Sequence, residues 1–196
     1  LATSSAASDV YKRQVIKGNV GYQTKSLVAR KNKKLILEQA KEFNVSNIFL
    51  SEGVFSENEV KSNLDINFSN NLEELLSDKD IDIVIAAFSG LVGIKSILQS
   101  IKAGKKILIA NKEPLVVAGK KLLSEAKKYG ATIIPIDSEH CAIHQCLRNV
   151  NRKDVNNVFI TCSGGPFWGK KLIDLENVSI KDCLLYTSDA ADDVAS

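Results

Sequence analysis

Short apolar runs alternate with amphipathic segments along most of this chain, and that alternation restricts the possible folds more than any other feature. The apolar runs, each five to seven residues long, are Lys25–Ala29, Asn47–Ser51, Asp82–Phe88, Lys106–Ala110 and Thr132–Ile136. The segments with a helical pattern are Lys33–Phe43, Ser56–Ser62, Leu72–Ser77, Leu91–Ala103, Val116–Tyr129 and Ser138–Leu147. Strands that alternate with helices predict βαβ units. We therefore expect an α/β fold with a doubly wound, mostly parallel sheet over residues 15–147.

Several predicted helices carry recognisable capping residues. Ser56 and Glu59 fit a capping box. Asn70 is the predicted N-cap of the short helix that follows it. Gly104 and Gly130 stand where a glycine commonly ends a helix.

The composition changes after residue 147, where a second domain is predicted to begin. Asn151–Asn157 is polar and resembles a linker, and Val158–Cys162 predicts the first strand of a second α/β domain over residues 148–183. Asp9–Gln14 (DVYKRQ) and Cys183–Asp193 (CLLYTSDAADD) resemble translated sequencing-adapter DNA, and the ends at residues 1–14 and 184–196 are therefore left out of the fold prediction. Because the chain also lacks methionine, we interpret these ends as non-native tails around an incomplete first domain. The alternative is a natural disordered tail.

Composition and charge exclude several classes of protein. The 26 basic and 23 acidic residues give a net charge of +3, which is too balanced to indicate a nucleic-acid partner. No apolar run approaches the roughly 20 residues that span a bilayer. The four cysteines form no C-x-x-C pair, so we expect reduced thiols in a cytoplasmic protein, without a disulfide framework or zinc ribbon.

Polar residues cluster directly after two of the predicted strands. Asn111–Glu113 follows the run at 106–110, and Asp137–His140 follows the run at 132–136. Open α/β sheets bind ligands at the carboxyl ends of their strands, so we expect the first cluster to meet a phosphorylated substrate and a dinucleotide. Asp137 and Glu139 offer hard oxygen ligands that suit Mg²⁺ or Mn²⁺. The alternative is that these two acids only complement the dipole of a helix start.

A basic segment follows the first predicted strand. It consists of Arg30, Lys31, Asn32, Lys33 and Lys34. Cations at this place would suit the 2′-phosphate of NADP. On this feature alone, a solvated basic helix start is the better interpretation. The glycine-rich turn that would decide between them is absent, since Gly18 and Gly21 do not form G-x-G-x-x-G.

The histidines and a glycine turn also have two interpretations. His140 and His144 share a helix face, but the order E-H-x-x-x-H is not a zincin motif. Zinc is therefore not predicted, and His144 is interpreted as partly buried packing.

Ser163-Gly164-Gly165 could cradle a phosphate with its backbone N–H groups, or it could form only a tight turn.

Three segments resemble the 1-deoxy-D-xylulose 5-phosphate reductoisomerase family. They are ANKEPLV at 110–116, PIDSEHCAIHQCL at 135–147 and SGGPF at 163–167, with LVARKN at 27–32 as a further match. The resemblance extends over about residues 15–183 and implies a Rossmann-like NADPH-binding domain, without its first strand, followed by the start of a catalytic domain. The chain departs from the family at Arg30, Pro114 and His144, where Gly, Ser and Phe are usual.

The resemblance implies a role for each matching residue. The NADPH-binding residues would be Arg30, Lys31, Asn32, Asn111 and Glu113. The substrate-binding residues would be Lys112, Ser138, Glu139 and Ser163, with Lys112 and Glu139 as the catalytic residues. Asp137 and Glu139 would be two of three acidic ligands of Mg²⁺ or Mn²⁺.

The implied reaction converts 1-deoxy-D-xylulose 5-phosphate to 2-C-methyl-D-erythritol 4-phosphate in non-mevalonate isoprenoid synthesis. We expect it of the parent protein, as a homodimer in the bacterial cytoplasm or a plastid-type compartment. We do not expect it of the 196-residue chain, because the family's glycine-rich turn, flexible loop and third metal-binding Glu are not recognisable in it. Two alternatives stay open: a non-catalytic or regulatory dinucleotide-binding module, and an NADP-dependent dehydrogenase of another small phosphorylated substrate.

Overall fold

The structure, a computed structural model, describes residues 14–88, 93–160, 166–167, 169–179 and 182. The chain divides into two compact units, Leu1–Asp137 and Ser138–Ser196. The predicted domain division after residue 147 stays a prediction. None of the helices in the described ranges is long and apolar enough to cross a bilayer.

Two parallel three-stranded sheets form the frame of the first unit in its described residues. The strands are β1 (Ser26–Ala29), β2 (Asn47–Leu50), β3 (Asn67–Ser69), β4 (Ile83–Ala86), β5 (Lys106–Ile109) and β6 (Thr132–Pro135). Their order is β1-β2-β3 in one sheet and β4-β5-β6 in the other. Every pairing is parallel, which confirms the predicted parallel α/β fold. The sequence does not predict β3, because Phe68 is its one apolar residue and gives no periodic signal.

The predicted helices are present, with ends shifted by at most a turn. They are α1 (Lys33–Glu42), α2 (Glu57–Lys61), α3 (Leu72–Ser77), α4 (Ile94–Lys102), α5 (Glu113–Tyr129) and, in the second unit, α6 (Ser138–Cys146). Helix α5 begins at Glu113 rather than at the predicted Val116, and Pro114 stands in its first turn. The fixed φ of proline suits that position, where no N–H is needed. The predicted start of α4 at residues 91–92 lies outside the described residues.

The helix caps follow the predictions, with one correction. Ser56 and Glu59 form the expected capping box of α2. The N-cap of α3 is Asn71, not Asn70, because the Asn71 side chain accepts bonds from the N–H groups of Glu73 and Glu74. The Ser69 hydroxyl in turn accepts from the Asn71 N–H at 3.2 Å, which fixes the chain just before the helix.

Each sheet is supported by its own hydrophobic cluster. Leu27 and Ile48 of the first sheet pack with Ile36 of α1. Ile107 of the second sheet packs with Ile97 of α4. Burying an aliphatic side chain completely contributes about 1.5–3 kcal/mol, so these buried positions account for why α1 and α4 lie against their sheets.

The described part of the second unit is mostly irregular. It contains α6 and two short 3-10 turns, Arg152–Asp154 and Leu172–Leu175. The strand predicted over Val158–Cys162 is not formed at Val158, Phe159 and Ile160, which are 53%, 89% and 63% exposed. No strand in the described ranges of this unit lies alongside them. An apolar run that lacks a partner strand forms no inter-strand hydrogen bonds and is therefore not stabilised as a strand. Residues 161–162 lie outside the described residues.

Candidate functional site

The carboxyl ends of β5 and β6 bring two of the predicted site residues together. Ile109 and Pro135 are register partners at the ends of these strands, and Lys112 and Asp137 follow them along the chain. Lys112 Nζ lies 3.9 Å from Asp137 Oδ2. The Asp137 side chain is only 11% exposed and that of Lys112 is 42% exposed. A mostly buried carboxylate requires a compensating charge, which Lys112 supplies while its amine still reaches solvent.

The neighbours of Lys112 belong to the start of α5. Lys112 is the N-cap residue, and its carbonyl accepts from the N–H groups of Leu115 and Val116. Asn111 is half-buried just before it. Glu113 is the first residue of the helix, where a negative charge is favourable beside the helix dipole. The predicted Asn111–Glu113 cluster therefore stands at a helix start that adjoins a strand end, which is the usual ligand position in such sheets.

The basic segment after β1 is more constrained than the sequence suggests. Arg30 Nε donates to Glu52 Oε1 at 2.6 Å, and the Glu52 N–H donates to the Arg30 carbonyl at 2.7 Å. Glu52 follows β2, so this pair links the carboxyl ends of β1 and β2. The sequence analysis missed Glu52, although an acid directly after the predicted strand Asn47–Ser51 could have indicated it. Asn32 serves as the N-cap of α1, because its side chain accepts from the Leu35 N–H at 3.1 Å.

The remaining cations of this segment differ in their surroundings. Lys31 and Lys34 are exposed. Lys33 Nζ lies 3.2 Å from Glu59 Oε2. The N–H and hydroxyl of Ser56 donate to the same Glu59 oxygen at 2.6 and 2.8 Å. The Ser56 backbone bond, then its hydroxyl bond and then Lys33 hold the pKa of Glu59 below its ordinary value.

The predicted residues of α6 lie in the second unit. Ser138 is its first residue, Glu139 is half-buried in its first turn, and His140 is exposed. His144 is also exposed, so its interpretation as partly buried packing is wrong: α6 buries none of its residues in the described structure. No group of three or more His, Cys, Asp or Glu side chains in the described ranges could hold a metal ion.

The structure does not test the predicted glycine turn. Ser163, Gly164 and Gly165 lie outside the described residues. The predicted substrate contact of Ser163 therefore stays a prediction.

A parallel α/β sheet with charged side chains at its strand ends is typical of doubly wound, Rossmann-like α/β domains. The family model of 1-deoxy-D-xylulose 5-phosphate reductoisomerase matches residues 10–119, and the model of that enzyme's C-terminal domain matches residues 133–187. The chain belongs to the 1-deoxy-D-xylulose 5-phosphate reductoisomerase family.

Two curated relatives illustrate the similarity. The 1-deoxy-D-xylulose 5-phosphate reductoisomerase of Clostridium acetobutylicum is 51% identical over 111 residues, which cover 57% of this chain and 29% of the relative. That of Lachnoclostridium phytofermentans is 35% identical over 176 residues, which cover 87% of this chain and 45% of the relative. The chain therefore spans less than half the length of these relatives.

Two solved structures share the fold. The enzyme from Zymomonas mobilis in complex with NADPH superposes with a TM-score of 0.74 at 29% identity, covering 92% of this chain and 49% of that one. A structure of DOX-P reductoisomerase in complex with NADPH, fosmidomycin and magnesium gives 0.71 at 32% identity, covering 92% of this chain and 48% of that one. Both of these structures contain NADPH, which agrees with a Rossmann-like class of domain and with the family that the sequence models identify.

Proposed function

We propose that the full-length protein that carries these residues converts 1-deoxy-D-xylulose 5-phosphate to 2-C-methyl-D-erythritol 4-phosphate, with NADPH and Mg²⁺ or Mn²⁺. The observation that carries the proposal is the pairing of Lys112 with Asp137 at the adjoining ends of β5 and β6. In a chain of this family, that pairing brings a proposed substrate-binding cation beside a proposed metal ligand. Because the chain spans less than half of the curated relatives, the activity is assigned to the complete protein.

Asp137 and Glu139 would hold the divalent ion. Carboxylate oxygens are the ligands that Mg²⁺ and Mn²⁺ prefer, and Asp137 combines low exposure with a position at a strand end. Two carboxylates occupy only part of a six-fold coordination sphere, so positions remain for water and for substrate oxygens. When bound, the ion would polarise a substrate carbonyl as a Lewis acid, and NADPH would supply the hydride.

The surrounding side chains would bind and orient the sugar phosphate. Lys112 would direct its amine to a substrate oxygen, and Glu139 would contact the substrate from the metal side. Ser138 and Ser163 would add hydroxyl hydrogen bonds. These contacts are oriented most precisely if Lys112 is already held near Asp137 before substrate arrives, which the 3.9 Å separation of Nζ and Oδ2 supports.

NADPH would contact Arg30, Lys31, Asn32, Asn111 and Glu113. For Arg30 to bind the 2′-phosphate, its guanidinium would have to exchange Glu52 for the phosphate, because the two side chains are in contact. Lys31 is exposed and could approach the phosphate without such an exchange. Asn32 would act through its backbone, or by fixing the start of α1, since its side chain serves as the N-cap.

We further propose a homodimer in the bacterial cytoplasm. The bacterial origin of the relatives supports the location.

A non-catalytic dinucleotide-binding module is the second candidate. The observation that favours it is the position of Glu113 and Glu139 in the first turns of α5 and α6. An acid at that position is favourable beside the helix dipole without any ligand.

The test uses a chain completed to the length of its relatives. Mn²⁺ affinity would be measured by electron paramagnetic resonance for the parent, Asp137→Asn, Glu139→Gln and the exposed control Asp65→Asn. We expect the first two variants to bind Mn²⁺ on the order of a hundredfold more weakly, and the control to match the parent. Product formation from 1-deoxy-D-xylulose 5-phosphate would be followed by NADPH oxidation. Unchanged Mn²⁺ affinity would refute the metal ligands, and cofactor binding without product would favour the non-catalytic module.

A further inference from the structure

Two histidines stand on the same side of helix α6. His140 and His144 lie within Ser138–Cys146, and both side chains are exposed. Residues four positions apart on an α-helix are neighbours on its surface, with Cβ atoms about 5–6 Å apart. In H-E-x-x-H motifs, the same spacing lets two imidazole rings bind one ion from a single helix face. The two rings of α6 therefore have the spacing of a two-point metal chelate.

The backbone of α6 maintains this spacing. The helix runs without interruption through both histidines, and its last turn is continued by the Leu147 N–H, which donates to the Ile143 carbonyl at 2.9 Å. Both rings are accessible to solvent, since α6 buries none of its residues in the described structure. An ion bound by the pair would thus have room for the water ligands that two side chains do not replace.

The thiols of α6 do not complete the pair. Cys141 Sγ accepts a hydrogen bond from Gln145 Nε2 at 3.1 Å. Cys146 is two positions beyond His144, and side chains two positions apart on a helix do not face each other. In the ranges that the structure describes, no group of three or more His, Cys, Asp or Glu side chains could hold a metal ion. The protein donors at this place are therefore the two imidazoles alone.

The donor set determines which ions the pair suits. Imidazole nitrogen suits Cu²⁺ and Ni²⁺, and a square-planar or tetragonal site of nitrogen and oxygen ligands is typical of both ions. Two imidazoles and water provide such a mixture. Zinc sites use three or four protein ligands, so the pair does not form one, which agrees with the absence of a zincin motif.

The neighbouring carboxylate belongs to a different class of site. Mg²⁺ and Mn²⁺ prefer carboxylate oxygens, and Glu139 is proposed as one of their ligands. Glu139 directly precedes His140, which places it about 100° away around the helix axis. The two kinds of donor thus point to different sides of α6 and prefer different ions.

We propose that His140 and His144 form a transition-metal site that binds one Ni²⁺ or Cu²⁺ ion as a two-histidine chelate, separate from the carboxylates proposed for Mg²⁺ or Mn²⁺. Because Phe is usual at position 144 in the family, the site is a feature of this chain and not of the family as a whole. The proposal does not depend on the proposed reductoisomerase activity, since neither histidine is among the residues assigned to that activity.

The test uses the 196-residue chain and Ni²⁺, with binding measured by isothermal titration calorimetry. Excess Mg²⁺ in the buffer occupies carboxylate sites, and a phosphine reductant keeps the cysteines reduced. We expect His144→Phe to bind Ni²⁺ at least about tenfold more weakly than the parent, because the helix no longer holds a second imidazole at high effective concentration beside the first. Weak binding elsewhere on the chain is common to both proteins and cancels in the comparison.

A matched control keeps the number of histidines and changes only their spacing. His144→Phe combined with Leu147→His leaves two histidines seven positions apart, which is about 10 Å along a helix that rises 1.5 Å per residue. That separation is too large for two rings to share one ion, so we expect this variant to bind Ni²⁺ as weakly as His144→Phe. Cys141→Ser should keep the affinity of the parent. Circular dichroism establishes that the variants keep the fold of the parent.

Proton nuclear magnetic resonance locates the bound ion directly. The chain has only two histidines, so their rings give only two Hε1 signals. Paramagnetic Ni²⁺ broadens the signals of nuclei close to it, and we expect one equivalent of Ni²⁺ to broaden both Hε1 signals of the parent together. Asp137→Asn should show the same broadening and the same Ni²⁺ affinity, whatever it does to Mn²⁺ binding, so that failure of the proposed reductoisomerase and failure of this site are distinguishable.

Four results would overturn the proposal. The first is equal Ni²⁺ affinity in the parent and in folded His144→Phe. The second is parental affinity in the variant with the wider spacing, which would mean that each histidine acts alone. The third is broadening of only one Hε1 signal in the parent. The fourth is a loss of Ni²⁺ affinity in Asp137→Asn, which would mean that the histidines and the carboxylates belong to one site.

Discussion

Lys112 Nζ lies 3.9 Å from Asp137 Oδ2, and the two residues stand just beyond the register partners Ile109 and Pro135. The parallel pairing of β5 with β6 therefore brings together residues that are distant in sequence. The carboxylate is mostly buried and the amine is partly exposed. An ion pair in such a position stabilises the strand ends and keeps the amine available to an anionic ligand.

The first prediction concerns the stability contributed by this pair. Lys112→Ala removes a compensating charge from a mostly buried carboxylate, so we expect a loss of about 1 kcal/mol in the free energy of unfolding at neutral pH. Urea denaturation measures it. In the Asp137→Asn background the same substitution should cost less, because the charge it compensates is absent.

The exposed pair Lys61 and Glu57 provides the comparison. Lys61 Nζ lies 3.4 Å from Glu57 Oε2, one turn apart on α2, and the two side chains are 72% and 88% exposed. We expect Lys61→Ala to cost less than Lys112→Ala does, because exposed pairs on a helix contribute little to stability. An equal cost for the two lysine substitutions would contradict the importance of the burial of Asp137.

The second prediction concerns the contact between Arg30 and Glu52. If Arg30 binds the 2′-phosphate of NADPH, then Glu52 competes with that phosphate for the guanidinium. We expect Glu52→Gln, in a chain of full length, to strengthen NADPH binding and leave NADH binding unchanged. Fluorescence titration of both cofactors measures the effect.

The complementary variant is Arg30→Met. It should weaken NADPH binding about tenfold, as the loss of a charge-assisted hydrogen bond does, without affecting NADH. An equal loss of affinity for NADPH and NADH would show that Arg30 contacts a group that both cofactors contain. The assignment of Arg30 to the 2′-phosphate would then be wrong.

The sequence predicts the fold well where local signals and burial agree. The apolar runs at 82–88 and 106–110 became β4 and β5, because continuous β-branched residues suit a buried parallel strand. β3 was missed, since Asn67-Phe68-Ser69 is a strand only through its pairing with β2. The apolar run at 158–160 shows the converse, because these residues have strand propensity but no partner strand in the described structure. Strand formation depends on distant partners that periodicity cannot report.

The site shows a similar limit. Position after a strand end indicated Lys112 and Asp137, and the structure brings them together. The segment Arg30–Asn32 was also selected by position, but its contacts were not foreseeable. Glu52 reaches Arg30 across parallel strands, 22 residues away in sequence. The choice of Asn32 as a cap depends on where α1 begins. Contacts between side chains of different strand ends thus required the structure.

The third prediction compares two glycines with the same backbone conformation. Gly104 and Gly130 follow α4 and α5 with φ values of +70° and +67°. A Cβ added at Gly104 would lie 3.3 Å from the Tyr129 carbonyl oxygen, whereas one at Gly130 would meet nothing within 4 Å. We expect Gly130→Ala to cost about 1 kcal/mol for the left-handed conformation alone. Gly104→Ala should cost more, because the Tyr129 carbonyl must also shift.

Urea denaturation of the two variants, with equal slopes, measures the difference. The matched design cancels the unfolded-state effect of replacing glycine by alanine, which is the same at both positions. An equal or smaller cost at Gly104 would show that the chain around Tyr129 moves aside freely.

The fourth prediction concerns acid stability at the start of α2. The Ser56 backbone N–H, the Ser56 hydroxyl and Lys33 hold the pKa of Glu59 below its ordinary value of 4.5. The unfolded chain therefore binds this proton at a higher pH than the folded chain does. The resulting stability is present above about pH 4.5 and is lost as the pH falls through the lowered pKa of the folded state.

We expect Glu59→Gln to lower the thermal midpoint at pH 7 and to have a smaller effect at pH 3, so that the two melting curves converge in acid. Ser56→Ala should reduce the acid dependence in the parent and add little to it in the Glu59→Gln background, because both substitutions act on the same hydrogen bond. A constant difference in midpoint between pH 3 and pH 7 would mean that the charge of Glu59 does not contribute to the cap.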